Sequence, residues 1–220
     1  MMTSDLVRVV LVDDHEIVLE GLVMQIDNCP DLEVVGTATR AEEGQRVILQ
    51  SRPDIAIFDL ELPGRGPFDV IEELLSRQKE TRVIILTGHV SDIFVEMAMR
   101  LKVSAYLLKG EPSQYCIDAI RRVSRGEFCF SSEVQERITL DPATKRYAMR
   151  NDCGLSCLTN RQLEVLRYLV QGLSVKEVAR EMHLSEKSID SHKYRIMHRL
   201  GIHDRVELSR FAIREGLALP

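Results

Sequence analysis

Five polar side chains stand at the ends of short apolar segments in the first half of the chain. Asp13 and Asp14 follow one segment, Asp59 follows another, Thr87 ends a third and Lys109 follows a fourth. If these segments are parallel strands of one sheet, their carboxyl ends meet at one edge. Clustered carboxylates repel one another, and a divalent cation relieves that repulsion. Mg²⁺ prefers hard oxygen ligands and keeps several waters, so two or three acids suffice to bind it.

A carboxylate in such a pocket can itself act as a nucleophile. Attack by an aspartate on a phosphoryl group gives an acyl phosphate. The ammonium group of Lys109, the hydroxyl of Thr87 and Mg²⁺ would then stabilise the charge on the phosphoryl oxygens. Taken singly, the aspartates could cap helices and the lysine could lie on the surface. Their joint placement at strand ends favours a pocket that binds a phosphoryl group, with Mg²⁺ as the cofactor.

The segments around these residues alternate between two patterns. Five runs rich in valine, isoleucine and leucine are typical of strands buried on both faces, at 9–12, 32–38, 55–58, 83–86 and 105–108. A helical pattern follows each run, at 15–27, 41–51, 67–78, 91–102 and 112–124. Five β–α units in a row predict an α/β fold, with a doubly wound, five-stranded parallel sheet.

The pattern changes after residue 126. Turn-forming residues mark 127–156 as a partly structured connector, with a short helix near 133–138, between a first domain at 1–126 and a second at 157–220. The second domain is helical throughout. Capping boxes begin helices at Thr159 and Ser174, Ser185 caps a third helix, and a fourth starts at Asp204. Two short capped helices joined by a tight turn are typical of a helix-turn-helix.

The third helix of this domain has two unlike faces. On a 3.6-residue period, the side turned towards the domain core carries Ile189, His192, Ile196 and Leu200, and we expect His192 to be partly buried and hydrogen-bonded. The opposite side is polar and suits a major groove. It carries Lys187, Asp190, Ser191, Tyr194, Arg195 and His198, with Lys193 at its margin.

The charges on this helix fit two interpretations. Lys187, Lys193 and Arg195 can neutralise phosphates or read guanine, but a solvated helix face carries such charges too. The capped helix-turn-helix context favours double-stranded DNA as the partner. Asp190 argues for caution because an acid repels phosphate, although it could accept a hydrogen bond from the N4 amino group of cytosine.

Composition agrees with two domains of different function. The chain has 220 residues, of which 45% are hydrophobic and 29% charged, as in soluble globular proteins. Residues 1–130 carry 14 basic and 22 acidic side chains, a net charge of −8, whereas residues 131–220 carry 15 and 12, a net charge of +3. This asymmetry predicts different partners for the two halves.

Sequence features also bear on location and redox state. No apolar run approaches the ~20 residues that span a bilayer, and the chain start lacks a signal-peptide pattern, so we expect a cytoplasmic protein without a membrane partner. The five cysteines are odd in number and scattered. Cys153 and Cys157 have no second ligand pair nearby, which favours reduced thiols over a metal site.

The motifs around the pocket resemble those of bacterial response-regulator receiver domains. They are Val12-Asp13-Asp14-His15, Phe58-Asp59-Leu60-Glu61-Leu62-Pro63-Gly64, Leu86-Thr87-Gly88 and Leu107-Leu108-Lys109-Gly110. Residues 158–201 resemble the LuxR-type helix-turn-helix, and the combination is similar to the NarL/FixJ class. The likeness covers nearly the whole chain except the connector. It implies a two-component response regulator, not an enzyme, in which a sensor histidine kinase phosphorylates Asp59 and so controls dimerisation, DNA binding and transcription.

The resemblance also implies roles for single residues. Asp14 and Asp59 would bind Mg²⁺, Asp13 would assist through water, and the backbone carbonyl of Glu61 would supply another oxygen. In the same way, Lys109 would contact the phosphoryl oxygens and Thr87 would move inward on phosphorylation.

Two further roles follow from the resemblance. Tyr106 would be the coupled aromatic residue that changes its burial, with a half-buried strand aromatic as the alternative. Part of the last helix would form a dimer interface that matches two DNA half-sites, with candidates Val206, Leu208 and Ala212.

One residue departs from the receiver pattern. Pro67 stands where such receivers usually have glycine. Because proline is tolerated in the first turn of a helix, we expect the third helix to begin there and the loop beside Asp59 to be stiffer. This bears on the rates of phosphorylation and dephosphorylation but removes no group that the chemistry needs.

Two other classes of function stay open at this point. Asp59-Leu60-Glu61 faintly resembles the nucleophile motif of haloacid-dehalogenase-type phosphatases, but Glu61 and Pro63 stand where those enzymes usually have aspartate and threonine. Turnover of a phosphomonoester would support that alternative. The other is a receiver that acts through protein contacts, with a weakened DNA reader. It is motivated by Asp190 and the small basic excess, and would be favoured by a lack of DNA binding at low salt.

Overall fold

A computed structural model describes residues 6–63, 65–88, 90–150 and 155–214, without the side chains of residues 156, 205, 212 and 214. The chain divides into two compact units, one of residues 1–89 with 101–135 and the other of residues 90–100 with 136–220. The boundary at 135/136 falls inside the predicted connector, and the predicted domain limits stay a prediction. Within the described ranges, no helix combines the length and apolar character needed to cross a membrane.

Parallel strands form the centre of the first unit. In chain order they are β1 (Val7–Val12), β2 (Leu32–Ala38), β3 (Ile55–Phe58), β4 (Arg82–Thr87), β5 (Ala105–Leu108) and β6 (Cys129–Phe130). Their spatial order is β2-β1-β3-β4-β5-β6, and every neighbouring pair is parallel. The order changes direction between β1 and β3, which is the point where sheets of this kind bind ligands.

Helices follow the first five strands, as the sequence predicts. They are α1 (Glu16–Asp27), α2 (Ala41–Ser51), α3 (Pro67–Arg77), α4 (Asp92–Leu101) and α5 (Ser113–Ser124). The predicted limits agree within one or two residues. β3 and β4 are buried almost throughout, as predicted. The predicted burial of β2 on both faces is wrong, because β2 lies at the edge of the sheet and only Leu32 and Ala38 in it are buried. Proline occupies the start of α3, as expected from Pro67. The predicted α/β class is confirmed.

The sheet has six strands rather than the predicted five. β6 pairs with β5 through Ala105 with Cys129 and Tyr106 with Phe130. The backbone N–H of Ser131 then donates to the carbonyl of Tyr106 at 3.0 Å. A strand of two residues is too short to show a periodic pattern, so these residues were predicted to be part of the connector. Its pairing covers the edge of β5, which would otherwise leave backbone groups unpaired.

The connector contains two more elements. The predicted short helix is α6 (Ser132–Arg137), and it is followed by an antiparallel hairpin of β7 (Ile138–Leu140) and β8 (Tyr147–Met149) that the sequence did not predict. Asp141 stabilises the hairpin turn, since its carboxylate accepts hydrogen bonds from the N–H of Ala143 and the hydroxyl of Thr144. Three-residue strands again fall below the length at which alternation is visible.

The rest of the second unit is helical, as predicted. A 3₁₀ turn (Leu155–Cys157) precedes α7 (Asn160–Val170), α8 (Val175–Glu181), α9 (Glu186–Leu200) and α10 (Arg205–Arg214). Thr159 and Ser174 form the two expected capping boxes, Ser185 caps α9, and Gly201 ends α9 with a φ of 66°. The core of these helices is apolar and includes Leu163, Leu166, Val178, Ile189, Ile196 and Phe211.

Two helical glycines differ in the space available for a side chain, so they can be used to test the packing of helices against β1. A Cβ atom on Gly44 of α2 would lie 2.6 and 2.8 Å from the two γ-methyl groups of Val12, whereas one on Gly21 of α1 would meet nothing within 4 Å. Alanine favours a helix by about 1 kcal/mol over glycine, so Gly21→Ala should stabilise the protein by about that amount. Gly44→Ala should instead destabilise it by about 1–3 kcal/mol, because Val12 is buried and stiff at χ1. Urea denaturation of both variants measures the difference, and a stabilised Gly44→Ala would contradict this packing.

Candidate functional site

Backbone hydrogen bonds bring the ends of the central strands to one edge. The N–H of Asp59 donates to the carbonyl of Val12 at 2.9 Å, which places the end of β3 beside the end of β1. The N–H of Lys109 donates to the carbonyl of Thr87 at 2.9 Å, which does the same for β5 and β4. The predicted convergence of the pocket residues at one edge therefore agrees with the observed register.

Lys109 is the cation at the centre of this pocket. Its Nζ lies 2.9 Å from Oδ2 of Asp59 and 2.7 Å from Oδ2 of Asp13. Both aspartates are buried, and the lysine side chain is 18% exposed. Burial by itself lowers the pKa of Lys109, but the hydrogen bonds to Asp13 and Asp59 outweigh it, so that the pKa lies above its ordinary value. The ammonium group therefore stays charged and offsets the repulsion between the carboxylates.

The second oxygen of the Asp59 carboxylate also has a donor. Its Oδ1 accepts a hydrogen bond from the N–H of Leu60 at 2.7 Å. With Lys109 on Oδ2, both oxygens are held and the carboxylate has one orientation. A nucleophile that is already oriented loses little freedom when it reacts.

Four residues at this edge could hold a metal ion. Ligand atoms of Asp13, Asp14, His15 and Asp59 all lie within 4.8 Å of one another. Asp13 and Asp59 are buried, while Asp14 and His15 are exposed, so waters can complete the coordination of a cation. Three carboxylates with an open side fit Mg²⁺, which takes few protein oxygens and several waters. Glu61 follows in the loop with an exposed side chain.

His15 is a contact that the sequence reasoning missed. Its Nδ1 lies 2.9 Å from Oδ1 of Asp14 and 3.1 Å from Oδ1 of Asp13, and its backbone N–H donates to Asp13 at 2.9 Å. The imidazole therefore contacts both carboxylates on the exposed side of the pocket. The signal in the sequence was its position directly after the acid pair, where the turn into α1 brings it back onto them.

Thr87 and Tyr106 lie behind the acidic edge. Both are fully buried, so Tyr106 is not half-buried as the alternative interpretation expected, and its role as a switch stays a prediction. The hydroxyl Oγ1 of Thr87 has no hydrogen-bond partner among the residues that the structure describes. A buried hydroxyl without a partner is unfavourable and marks a group available to an incoming oxygen atom.

Thr87→Val is expected to stabilise the protein in the absence of any phosphodonor. The substitution replaces the unpaired hydroxyl with a methyl group of similar size, which should raise the free energy of unfolding by about 1–3 kcal/mol. Urea denaturation at neutral pH measures the change, with Thr87→Ser as the control that keeps the hydroxyl. A destabilised Thr87→Val would mean that Oγ1 has a partner after all.

The predicted inner face of α9 agrees with the structure in its apolar residues. Ile189 and Ile196 are fully buried, and Leu200 is half-buried. His192 is half-buried as predicted, but the predicted hydrogen bond is not found at its Nδ1, which is buried with no partner among the described residues. Burial, followed by the charges of Arg161 and Arg195, lowers the pKa of His192 below its ordinary value. The side chain of His192 is therefore uncharged at neutral pH and contributes to packing.

The outer face of α9 is open to solvent. Its exposed residues are Lys187, Asp190, Ser191, Tyr194, Arg195 and His198, while Lys193 is half-buried at the margin, as predicted. Tyr194 is 72% exposed, and its ring centre lies 6.3 Å from that of His198. Within the described parts of the chain, none of the three cations Lys187, Lys193 and Arg195 forms a salt bridge, so all three remain available to an anionic partner.

The three candidates for a dimer interface on α10 differ in exposure. Val206 is 59% exposed, but Leu208 is buried in the core of its own domain and is not available at the surface. The side chain of Ala212 lies outside the described residues, as does Cys153. Ile213, which the prediction did not place in the interface, is a second exposed apolar residue of α10.

Comparisons with known proteins agree with both halves of the chain. A family model for "Response regulator receiver domain" matches residues 9–121, and one for "Bacterial regulatory proteins, luxR family" matches residues 156–212. The chain is 28% identical to the response regulator UvrY of Escherichia coli (strain K12), over 96% of each chain. It is 30% identical to the transcriptional regulatory protein LiaR of Bacillus subtilis (strain 168), over 96% of this chain and 99% of LiaR.

A solved structure shares the fold. RcsB from Salmonella enterica serovar Typhimurium, bound to promoter P1flhDC, superposes with a TM-score of 0.69 at 22% identity and covers 93% of this chain and 97% of its own. The receiver model, the LuxR model and the relatives of the same length agree on one assignment. The chain belongs to the NarL/FixJ class of two-component response regulators, in which a receiver domain is joined to a LuxR-type DNA-binding domain.

Proposed function

We propose that Asp59 accepts a phosphoryl group from a sensor histidine kinase, and that this modification controls dimerisation and the binding of α9 to DNA. The observation that carries the proposal is the pair of contacts from the Lys109 ammonium group to the buried carboxylates of Asp59 and Asp13. Since the proposed partners include promoter DNA, the proposed place of action is the cytoplasm.

The pocket supplies what phosphoryl transfer needs. A carboxylate oxygen of Asp59 attacks phosphorus, the bond from phosphorus to the kinase histidine breaks, and an acyl phosphate forms. Lys109 transfers its contacts from the aspartates to the phosphoryl oxygens. Asp13, Asp14, Asp59 and the carbonyl of Glu61 would hold Mg²⁺, which, when bound, neutralises charge on the carboxylates and the phosphoryl oxygens.

The proposed response to phosphorylation begins at Thr87. Its unpaired hydroxyl would turn to a phosphoryl oxygen, and the adjacent Tyr106 would repack. Tyr106 lies on β5, whose backbone is hydrogen-bonded to the connector through Phe130 and Ser131. A shift of β5 would therefore reach the connector directly.

The proposed DNA contacts lie on the outer face of α9. Lys187, Lys193 and Arg195 would contact phosphates, and Asp190, Ser191 and Tyr194 would face base edges. The exposed Val206 supports α10 as part of a dimer interface, in which two copies would match two half-sites.

The test joins the two halves of the proposal. The full-length protein is incubated with Mg²⁺ and a small phosphodonor such as acetyl phosphate, and its affinity for promoter fragments is measured by mobility shift at several salt concentrations. We expect tighter binding after phosphorylation. Phosphorylation without any change in DNA affinity would contradict the proposed coupling.

One other function has a specific observation in its favour. Asp190 adds a negative charge to the outer face of α9, and an acid there repels DNA phosphates. A receiver that acts only through protein contacts would tolerate such a charge because it need not bind DNA. A lack of DNA binding at low salt, with and without phosphorylation, would support that alternative. The phosphatase alternative is disfavoured because the family consists of DNA-binding regulators rather than enzymes.

A further inference from the structure

Asp190 places a carboxylate without a protein partner on the outer face of α9. Its side chain is exposed and makes no hydrogen bond or ion pair with any residue that the structure describes. Lys187 precedes it by three residues, a spacing at which opposite charges on a helix can pair. The two side chains nevertheless do not form a salt bridge, so the hydrated carboxylate of Asp190 remains available to accept a hydrogen bond from an external donor.

The neighbours of Asp190 place it among the groups that would face base edges. Ser191 follows it directly and is exposed, and Tyr194 lies one helical turn further on with 72% of its surface open. Cations flank this strip at Lys187 and Arg195. Phosphate attraction by these cations would bring the helix into the groove, where the unpaired carboxylate then meets the bases at close range.

Only some base edges can donate a hydrogen bond to a carboxylate there. The major groove offers hydrogen-bond donors at cytosine N4 and adenine N6, whereas guanine presents acceptors at O6 and N7 and thymine an acceptor at O4. A carboxylate is an acceptor only, so guanine and thymine repel it. In an A·T pair the N6 donor is flanked by two acceptors, adenine N7 and thymine O4, whereas cytosine N4 has one acceptor beside it, O6 of the paired guanine. The carboxylate is therefore satisfied best by cytosine.

We propose that Asp190 makes this protein select cytosine at one position of each half-site, by accepting a hydrogen bond from the N4 amino group. The inference rests on the proposed entry of α9 into the major groove. Selection acts in two ways, since Asp190 binds cytosine and also penalises guanine and thymine at that position. A mismatched base pair in a specific site weakens binding by about 5- to 150-fold, and a single hydrogen bond of this kind should lie towards the lower end of that range.

The experiment selects binding sites from a random library of double-stranded DNA. Full-length wild-type protein, Asp190→Asn and Asp190→Ala are each phosphorylated with acetyl phosphate and Mg²⁺, and bound sequences are determined at one fixed salt concentration. Lys193→Ala serves as the control, because removal of a phosphate contact should weaken binding evenly across sequences. Asp190 is exposed, so these substitutions leave the core of the domain intact.

The expected outcome is a change of base at one position of the half-site. The wild type should enrich cytosine there, Asp190→Ala should lose the preference, and Asp190→Asn should prefer adenine, whose N6 and N7 match the amide donor and acceptor. The same motif in all three proteins, even with a uniform gain in affinity for the neutral variants, would overturn the inference and leave the proposed function standing. No enrichment by any of the proteins would overturn the proposed function and the inference with it.

Discussion

Asp59→Asn is expected to abolish phosphoryl labelling of this protein. The amide has no carboxylate oxygen to attack phosphorus, while Asp13, the other buried carboxylate on Lys109, keeps the place proposed for it as a metal ligand. The variant should still fold, because Lys109 keeps its 2.7 Å contact with Asp13. Labelling by a small phosphodonor with Mg²⁺, followed by intact-protein mass spectrometry, measures the loss.

A matched control separates this loss from the removal of any acid. Asp118 lies on α5 with a side chain that is 56% exposed, so Asp118→Asn should label like the wild type. Chelation of divalent cations with EDTA should strongly slow labelling of the wild type, because the carboxylate cluster then lacks its counter-charge. Equal labelling of Asp59→Asn and the wild type would move the phosphoacceptor elsewhere.

Replacement of Lys187, Lys193 and Arg195 by alanine should remove most of the DNA affinity. These cations have no salt-bridge partner among the described residues, so each is available to a phosphate. Removal of each cation that binds a phosphate should reduce the slope of log affinity against log salt concentration by about 0.9. The loss of three such cations should weaken the affinity about 100- to 1000-fold at about 0.1 M salt. Fluorescence anisotropy with a labelled promoter fragment over a salt series measures both quantities.

The control for this variant removes the same charge from the first unit. Arg40, Arg46 and Lys79 are exposed there, and their replacement by alanine lowers the net charge equally. We expect a much smaller change of slope for that control. Equal slopes for the two triple variants would show that net charge, rather than the face of α9, accounts for the DNA affinity.

Most of the fold was predictable because its elements carry strong local patterns. The five runs of aliphatic residues and the caps at Thr159, Ser174 and Ser185 indicate where strands and helices begin and end. The acidic pocket was predictable for a topological reason: in a parallel sheet, residues that follow different strands meet at one edge.

The missed elements lack such patterns. β6 and the β7–β8 hairpin consist of two or three residues per strand, so they form only because the neighbouring strand supplies hydrogen bonds. Leu208, predicted for a dimer interface, is instead buried in its own domain, because an apolar residue on a short helix can face its own core or a partner and only packing decides which.

The sequence by itself determined which residues meet at the acidic edge of the sheet, because Asp13, Asp14, Asp59 and Lys109 each follow a recognisable strand. The tertiary structure alone decided how they are held. The contacts of Lys109 with Asp13 and Asp59 and the unpaired hydroxyl of Thr87 depend on which groups lie within about 3 Å, a distance set by packing between residues far apart in the chain.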